Sequence, residues 1–169
     1  MKVKDLMLPL AECPLVREKS FLAEAVEALE TWRKRGGTRE YRLRVLLVQD
    51  ESSRITGTLR QQDFLRVFAP GKGHGFFLSS GPSRVPTWND LMEAAPEISR
   101  RVTAQEVMHI PGEAEFIDAQ APLEEGFYRL LTYPSIHLLV RSGDAVVGIL
   151  RLSDLFSIFC QEIRKTELQ

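Results

Sequence analysis

The segment ITGTLRQQDFLRVF at residues 55–68 recurs in altered form as VVGILRLSDLFSIF at residues 146–159. Both contain the pattern G-x-L-R-x-x-D followed by apolar residues. The alignment pairs six residues: Gly57 with Gly148, Arg60 with Arg151, and Asp63 with Asp154. Such a match indicates an internal duplication, and internal repeats bear on the whole fold.

The text before these segments is also duplicated. The pentapeptide VKDLM at residues 3–7 is similar to AQEVM at residues 104–108. A β-branched residue follows each methionine at the same distance, Val16 in the first copy and Ile117 in the second. We therefore expect a short strand at each of these positions.

Each copy continues with a predicted helix and two predicted strands. Apolar residues recur at helical spacing in both copies: Leu22, Val26 and Leu29 in the first, Leu123, Phe127 and Leu130 (or Leu131) in the second. The apolar runs VLLVQD (45–50) and HLLVRSGD (137–144) predict the next strand. The segments quoted first then predict a strand running into a helix. The predicted fold is α/β (α+β), with two β-α-β-β-α repeats.

A stretch rich in Gly, Pro and Ser lies between the copies and predicts a linker. Within it, Thr87 to Asp90 resembles a capping box. It would open a short helix from Leu91 to about Ala95, stopped by Pro96. The predicted organisation is a first repeat at 1–69, a linker at 70–99 and a second repeat at 100–169.

Composition favours an ordinary globular protein. The 169 residues carry a net charge of −1, which argues against a general nucleic-acid binder. The apolar runs are too short to span a bilayer, and the first residues lack the apolar core of a signal peptide. We expect a cytoplasmic protein that does not enter a membrane. Its two cysteines, Cys13 and Cys160, should then stay reduced, inert and at least partly buried.

No catalytic or metal-binding pattern emerges. The three histidines, His74, His109 and His137, have no metal-ligand spacing. The serines lack a nucleophile motif such as G-x-S-x-G. We expect a protein that is not an enzyme and that requires no metal and no cofactor.

The duplicated order and motifs resemble the CBS domain. Each copy has the opening hydrophobic-x-x-hydrophobic-Met, the amphipathic first helix and the closing glycine-to-aspartate element. The resemblance implies two copies packed sheet to sheet as a Bateman module, which forms homodimers. It implies an adenosine-containing ligand (AMP, ADP, ATP or S-adenosylmethionine) in the cleft between the copies. Because no effector domain is left over, a separate effector protein would read the response.

Ten residues are the candidate ligand-binding positions: Val16, Leu46, Gly57, Arg60, Asp63, Ile117, Leu138, Gly148, Arg151 and Asp154. A glycine lets the backbone approach a ligand closely, and a helix start favours an anion. An aspartate offers two acceptor oxygens to the hydroxyls of a ribose. The chain departs from the family pattern where arginine replaces Thr or Ser (Arg60, Arg151) and leucine replaces proline (Leu46, Leu138).

Plainer interpretations remain for each feature. The aspartates stabilise a helix start by themselves. The arginines could contact phosphate, point into solvent or reach a partner subunit. The missing hydroxyls favour an alternative function, a dimerisation or scaffold module that binds a partner protein and no ligand. The arginine-rich stretch 32–44 is either a solvated helix end or a docking surface for a polyphosphate, a nucleic acid or an acidic partner.

Overall fold

The computed structural model describes residues 1–35, 45–69, 86–133 and 135–167. The strands of the described residues are β1 (Leu8–Pro9), β2 (Leu15–Arg17), β3 (Val45–Gln49), β4 (Ile55–Arg60), β5 (Phe116–Asp118), β6 (His137–Ser142) and β7 (Ala145–Arg151). The α-helices are α1 (Leu22–Arg35), α2 (Gln61–Arg66), α3 (Trp88–Ser99), α4 (Ala104–Val107), α5 (Leu123–Thr132) and α6 (Leu152–Glu167). Among these helices, none has the length and the apolar character needed to cross a membrane.

The chain divides into two compact units that do not follow the repeat boundaries predicted from the sequence. Unit 1 combines Met1–Cys13 with Pro111–Gln169, and unit 2 is the continuous segment Pro14–Ile110. The opening segment of the first repeat (residues 1–13) therefore lies in unit 1, with most of the second repeat. The opening segment of the second repeat (residues 100–110) lies in unit 2, with most of the first repeat. Sequence similarity identifies the copies, but it carries no information on which copy a short opening segment pairs with.

Unit 2 contains a three-stranded sheet in the order β2-β3-β4. Strand β2 runs parallel to β3, and β4 returns antiparallel to β3 after a tight turn. One face of this sheet carries Leu46, Val48 and Leu59, which pack in a buried cluster with Leu22 of α1. Burial of these apolar side chains, each worth roughly 1.5–3 kcal/mol, holds the helix on the sheet.

Unit 1 repeats this arrangement. Its sheet has the order β1-β7-β6-β5, with β5 parallel to β6 and β7 antiparallel to β6. Both sheets have a register irregularity at the same place, after Val48 in β3 and after Val140 in β6. The predicted α/β fold with two repeats of strand, helix, two strands and helix is confirmed.

The opening segments make equivalent backbone hydrogen bonds in the two units. In unit 1 the Val3 and Lys4 amides donate to the carbonyl oxygens of Ala121 and Ala119, both at 3.0 Å. In unit 2 the equivalent amides, of Ala104 and Gln105, donate to Ser20 at 2.8 Å and Glu18 at 2.9 Å. The side chains of Val3 and Ala104 are completely buried at these contacts. Each opening segment thus donates hydrogen bonds to backbone carbonyl groups between the first strand and the first helix of its unit.

A glycine accommodates each opening segment further along. Pro9 of β1 pairs with Gly148 of β7, and a Cβ on Gly148 would overlap the carbonyl oxygen of Leu8. In unit 2 a Cβ on Gly57 would lie 2.5 Å from the Met108 Sδ and 3.0 Å from a backbone oxygen. Both matched glycine positions of the repeat therefore need glycine for packing of the chain against itself.

The helix in the linker is longer than the sequence predicted, and the predicted end before Pro96 is wrong. Helix α3 continues through Pro96 to Ser99, although proline removes one helical hydrogen bond. Leu91 and Ile98 on one side of α3 pack on the core of unit 2, and this burial outweighs the local cost. The capping box is confirmed, since the Thr87 amide donates to the Asp90 carboxylate at 2.7 Å.

Alanine substitutions at Gly57 and Gly148 test how closely the opening segments pack against the sheets. Gly148→Ala should lower the free energy of unfolding by about 1–3 kcal/mol, because a backbone oxygen must move. Gly57→Ala should cost less, since the thioether of Met108 is flexible. Urea unfolding measures both.

Gly112→Ala is the matched control, because its nearest neighbour is a flexible carboxylate oxygen at 4.0 Å. Its stability should stay within about 0.5 kcal/mol of the wild type. Equal stability of the Gly148→Ala and Gly112→Ala variants would contradict the close approach of β1 to β7.

Candidate functional site

The duplicated pattern places an arginine and an aspartate where a strand meets a helix. Arg60 is the last residue of β4, and Asp63 lies in the first turn of α2. Arg151 is the last residue of β7, and Asp154 lies in the first turn of α6. Residues three apart at a helix start lie on the same side of the turn, so the two side chains of each pair can meet.

In unit 2 the arginine binds both oxygens of the aspartate. The Arg60 Nε donates to Asp63 Oδ2 at 2.6 Å, and Nη2 donates to Oδ1 at 2.9 Å. The Arg60 backbone amide also donates to Oδ2 at 3.1 Å. A second cation, Arg66, lies 3.7 Å from Oδ1. The Asp63 side chain is only 5% exposed, so it enters a buried site fully paired.

Unit 1 contains the same arrangement. The Arg151 Nε donates to Asp154 Oδ2 at 2.7 Å, and Nη2 donates to Oδ1 at 2.6 Å. Both side chains are largely buried, with exposed fractions of 17% for the arginine and 13% for the aspartate. Parallel, two-point pairing of this kind fixes the guanidinium plane as well as its position.

These pairs bear on the alternatives left open by the sequence. The contact between the Arg60 amide and Asp63 is the helix-start role of an aspartate, and it is present. The arginines do not simply point into solvent, since each binds the aspartate of its own motif. Binding of a ribose or a phosphate at these residues stays a prediction.

Four other predicted site residues lie in the hydrophobic cores. Val16 and Leu46 belong to the buried cluster of unit 2, and Ile117 and Leu138 belong to that of unit 1. Their side chains are at most 6% exposed. A ligand could reach these residues only through their backbone groups, because their side chains are already packed.

The two predicted glycines align with these strands. Gly57 lies opposite Val48, which in turn pairs with Val16 on the far strand. The opening segment of residues 104–109 covers Gly57, and β1 covers Gly148. Each glycine lies three residue steps, roughly 10 Å, before its arginine along the strand. The predicted site residues therefore form two groups in each unit, of which only the Arg–Asp pair presents polar side chains.

Unit 2 contains an apolar groove of about 700 Å³ that was not predicted from the sequence. Residues of α1, α2 and α3 line it, including Val26, Phe64, Leu65, Trp88, Leu91 and Met92. The helical spacing of apolar residues in α3 was a signal for this groove, because Trp88 and Met92 lie one helical turn apart. On unit 1, α5 and α6 expose large apolar side chains as well: Tyr128, Leu131, Phe156, Phe159 and Ile163.

Two further predictions have different outcomes. Most of the arginine-rich stretch, including Arg39, Arg42 and Arg44, lies outside the described residues. Both cysteines are free thiols, Cys13 buried and Cys160 partly buried. Burial raises the pKa of the Cys13 thiol to about 12, and the nearby Arg151 lowers it only in part.

Comparison with solved structures identifies the fold. CBSX2, a CBS-pair protein from Arabidopsis thaliana, is 18% identical with a TM-score of 0.68, and the match covers 96% of each chain. CBSX2 in complex with AMP is 17% identical with a TM-score of 0.64, covering 95% of this chain and 96% of that one. A CBS domain-containing protein of unknown function from Bacillus anthracis str. Ames Ancestor is 14% identical with a TM-score of 0.66, covering 95% and 94%.

The sequence matches no protein-family model and none of the curated proteins. The structural likeness extends over nearly the whole chain in each of the three cases. The chain therefore has the fold of a tandem CBS pair, as the duplicated motifs predicted.

The raised pKa of Cys13 predicts slow alkylation. A thiol with a pKa near 12 is about 10⁻⁴ thiolate at pH 8, and the thiolate is the reactive form. Iodoacetamide at pH 8 should therefore modify Cys160 long before Cys13 in the folded protein. Mass spectrometry of digested protein measures both rates.

Cys160→Ser provides the control, because it leaves Cys13 as the single thiol. In urea, Cys13 of this variant should react at the rate of an ordinary exposed thiol. Rapid modification of Cys13 in the folded variant would contradict its buried environment.

Proposed function

We propose that this protein is a ligand-sensing regulatory module that binds an adenosine-containing ligand at its Arg–Asp pairs. The candidate ligands are AMP, ADP, ATP and S-adenosylmethionine. The observation that carries the proposal is the presence of the same two-point Arg–Asp contact at the same place in both units. The AMP complex of CBSX2, a protein of the same fold, supports an adenine nucleotide.

The arginine supplies the chemistry for the phosphate. A guanidinium is planar, permanently charged and carries five donors, which suits the oxygens of a phosphate. The aspartate holds the guanidinium in one orientation, so the ligand need not order it on binding. The neighbouring Arg66 gives the cluster in unit 2 an excess of one positive charge, which favours an anion further.

Regulation, and not catalysis, is the proposed output. A ligand changes a protein's behaviour only if it binds two states with different affinity. A separate effector protein would read that change. Turnover of a nucleotide that is abolished by Asp63→Ala or Asp154→Ala would contradict the regulatory assignment.

A second candidate function is a dimerisation or scaffold module with unused ligand sites. The observation favouring it is the pairing of both aspartates, which leaves the sites occupied by the protein itself. The exposed apolar side chains of α1, α2, α3, α5 and α6 favour it too: Val26, Leu65, Trp88, Met92, Tyr128, Leu131, Phe156, Phe159 and Ile163.

A second copy of the chain is the proposed occupant of these apolar surfaces. Phe156, Phe159 and Ile163 lie on one side of α6, and each is at least half exposed. If each of the five exposed apolar side chains of unit 1 buries on the order of 100 Å², these side chains contribute about 500 Å² per copy. This is more than half of the roughly 800 Å² per partner that a stable interface needs. A homodimer is compatible with either candidate function.

Thermal unfolding at fixed salt tests ligand binding. A ligand at about 100 times its dissociation constant adds roughly 2.7 kcal/mol, which raises the melting temperature by several degrees. We expect this shift with at least one of AMP, ADP, ATP and S-adenosylmethionine, and a smaller shift in the Arg60→Ala/Arg151→Ala variant. Each shift is measured against the melting temperature of the same variant without ligand.

Arg54→Ala is the matched control, because this arginine pairs with Asp50 at an exposed turn of unit 2. Its ligand shift should equal that of the wild type. No shift with any of the four ligands, in a protein that melts cooperatively, would reject ligand sensing and favour the scaffold.

Sedimentation velocity tests the homodimer. Phe156→Asp places a charge on a side chain that is 63% exposed, so it should not disturb the fold. We expect the wild type to sediment as a dimer and the variant as a monomer. Ile110→Asp, at an exposed residue outside the helical surfaces, should remain a dimer. A monomeric wild type at micromolar concentration would reject the proposed pairing.

A further inference from the structure

We propose that Arg60 and Arg151 determine ligand specificity by withholding the two aspartates from the ribose. The protein would then recognise the phosphate of the ligand and would make no contact with the vicinal hydroxyls of its ribose. This inference rests on the proposed function, because it concerns the same Arg–Asp pairs. It assigns the ligand class as a phosphate-bearing adenosine derivative in which the ribose hydroxyls are not read.

The occupancy of the carboxylates is the first argument. A pair of vicinal hydroxyls needs both oxygens of a carboxylate to bind in the two-point manner. Oδ1 and Oδ2 of Asp63 each accept from Arg60, and those of Asp154 each accept from Arg151. The hydroxyls would therefore have to displace a guanidinium that already binds in the same two-point manner.

The exchange is unfavourable for the protein. A contact between two charged groups is stronger than one between a charged group and a neutral hydroxyl. Displacement would also break a charge-assisted contact in a largely buried position, since Arg151 is 17% exposed and Arg60 is 26% exposed. A phosphate, by contrast, approaches the guanidinium itself and leaves the Arg–Asp contact in place.

Unit 2 holds its aspartate more strongly than unit 1. Asp63 accepts an additional backbone hydrogen bond from Arg60 and lies near Arg66, whereas Ser157 occupies the position equivalent to Arg66 in unit 1. Any recognition of ribose that remains should therefore depend on Asp154.

Two arms of one experiment test the inference. The first compares the melting-temperature shifts that AMP, 2′,3′-dideoxyadenosine monophosphate and adenosine cause in the wild type. AMP and the dideoxy nucleotide should give equal shifts, and adenosine should give the smallest. The second arm repeats the series in Arg60→Thr/Arg151→Thr, which releases both carboxylates. This variant should prefer AMP to the dideoxy nucleotide.

A lysine variant and a surface variant control the second arm. Arg60→Lys/Arg151→Lys keeps the charge but cannot cover both oxygens, so it should also gain a preference for AMP. Arg54→Thr, at the exposed ion pair with Asp50, should behave as the wild type. Both controls show whether a gain comes from the released carboxylates or from a general loss of stability.

The outcomes separate this inference from the proposed function. A wild type that responds to AMP but not to the dideoxy nucleotide supports nucleotide sensing and overturns the inference. A wild type that responds to neither, with a threonine variant that gains an AMP-specific shift, rejects sensing by the wild type and supports the inference. A threonine variant that shows no preference for AMP overturns the inference whatever the wild type does.

Discussion

Two short chain segments satisfy backbone groups that each unit cannot satisfy from its own repeat, and this constraint organises the fold. Residues 1–9 do so in unit 1, and residues 103–109 do so in unit 2. Unpaired backbone groups in a buried position are costly, so these hydrogen bonds hold each segment on its unit. The glycines of the repeat follow from the same constraint, because any side chain at Gly148 would collide with the backbone of β1.

The sequence predicted most of the elements well because the chain contains two versions of them. Agreement between the copies distinguishes a structural pattern from a local accident, as at Val16 and Ile117, which both lie in short strands. The exchange of opening segments was beyond prediction, since either copy could in principle have kept its own. The end of α3 was missed because the local rule for Pro96 gives no weight to the packing of Ile98.

The candidate site was predicted by position and only partly by interaction. Gly57, Arg60 and Asp63 were identified because they recur, and so were their counterparts in unit 1. The contact of Arg60 with Asp63 was within reach of the sequence, because opposite charges three residues apart at a helix start are neighbours. The role of Leu46 and Leu138 was not, since burial depends on which face of the sheet carries the helices. The residues of the Arg–Asp pairs thus serve both the helix start and the proposed ligand site.

The central claim is that a nucleotide binds at the Arg–Asp pairs, and arginine side-chain NMR tests it most directly. Nε–H resonances assigned by substitution report on Arg60 and Arg151 separately, with Arg54 as an exposed reference in its own ion pair. On titration with AMP, we predict saturable shifts of the Arg60 and Arg151 resonances and no shift of the Arg54 resonance. Unchanged Arg60 and Arg151 resonances at an AMP concentration that saturates the shift in melting temperature would contradict the claim.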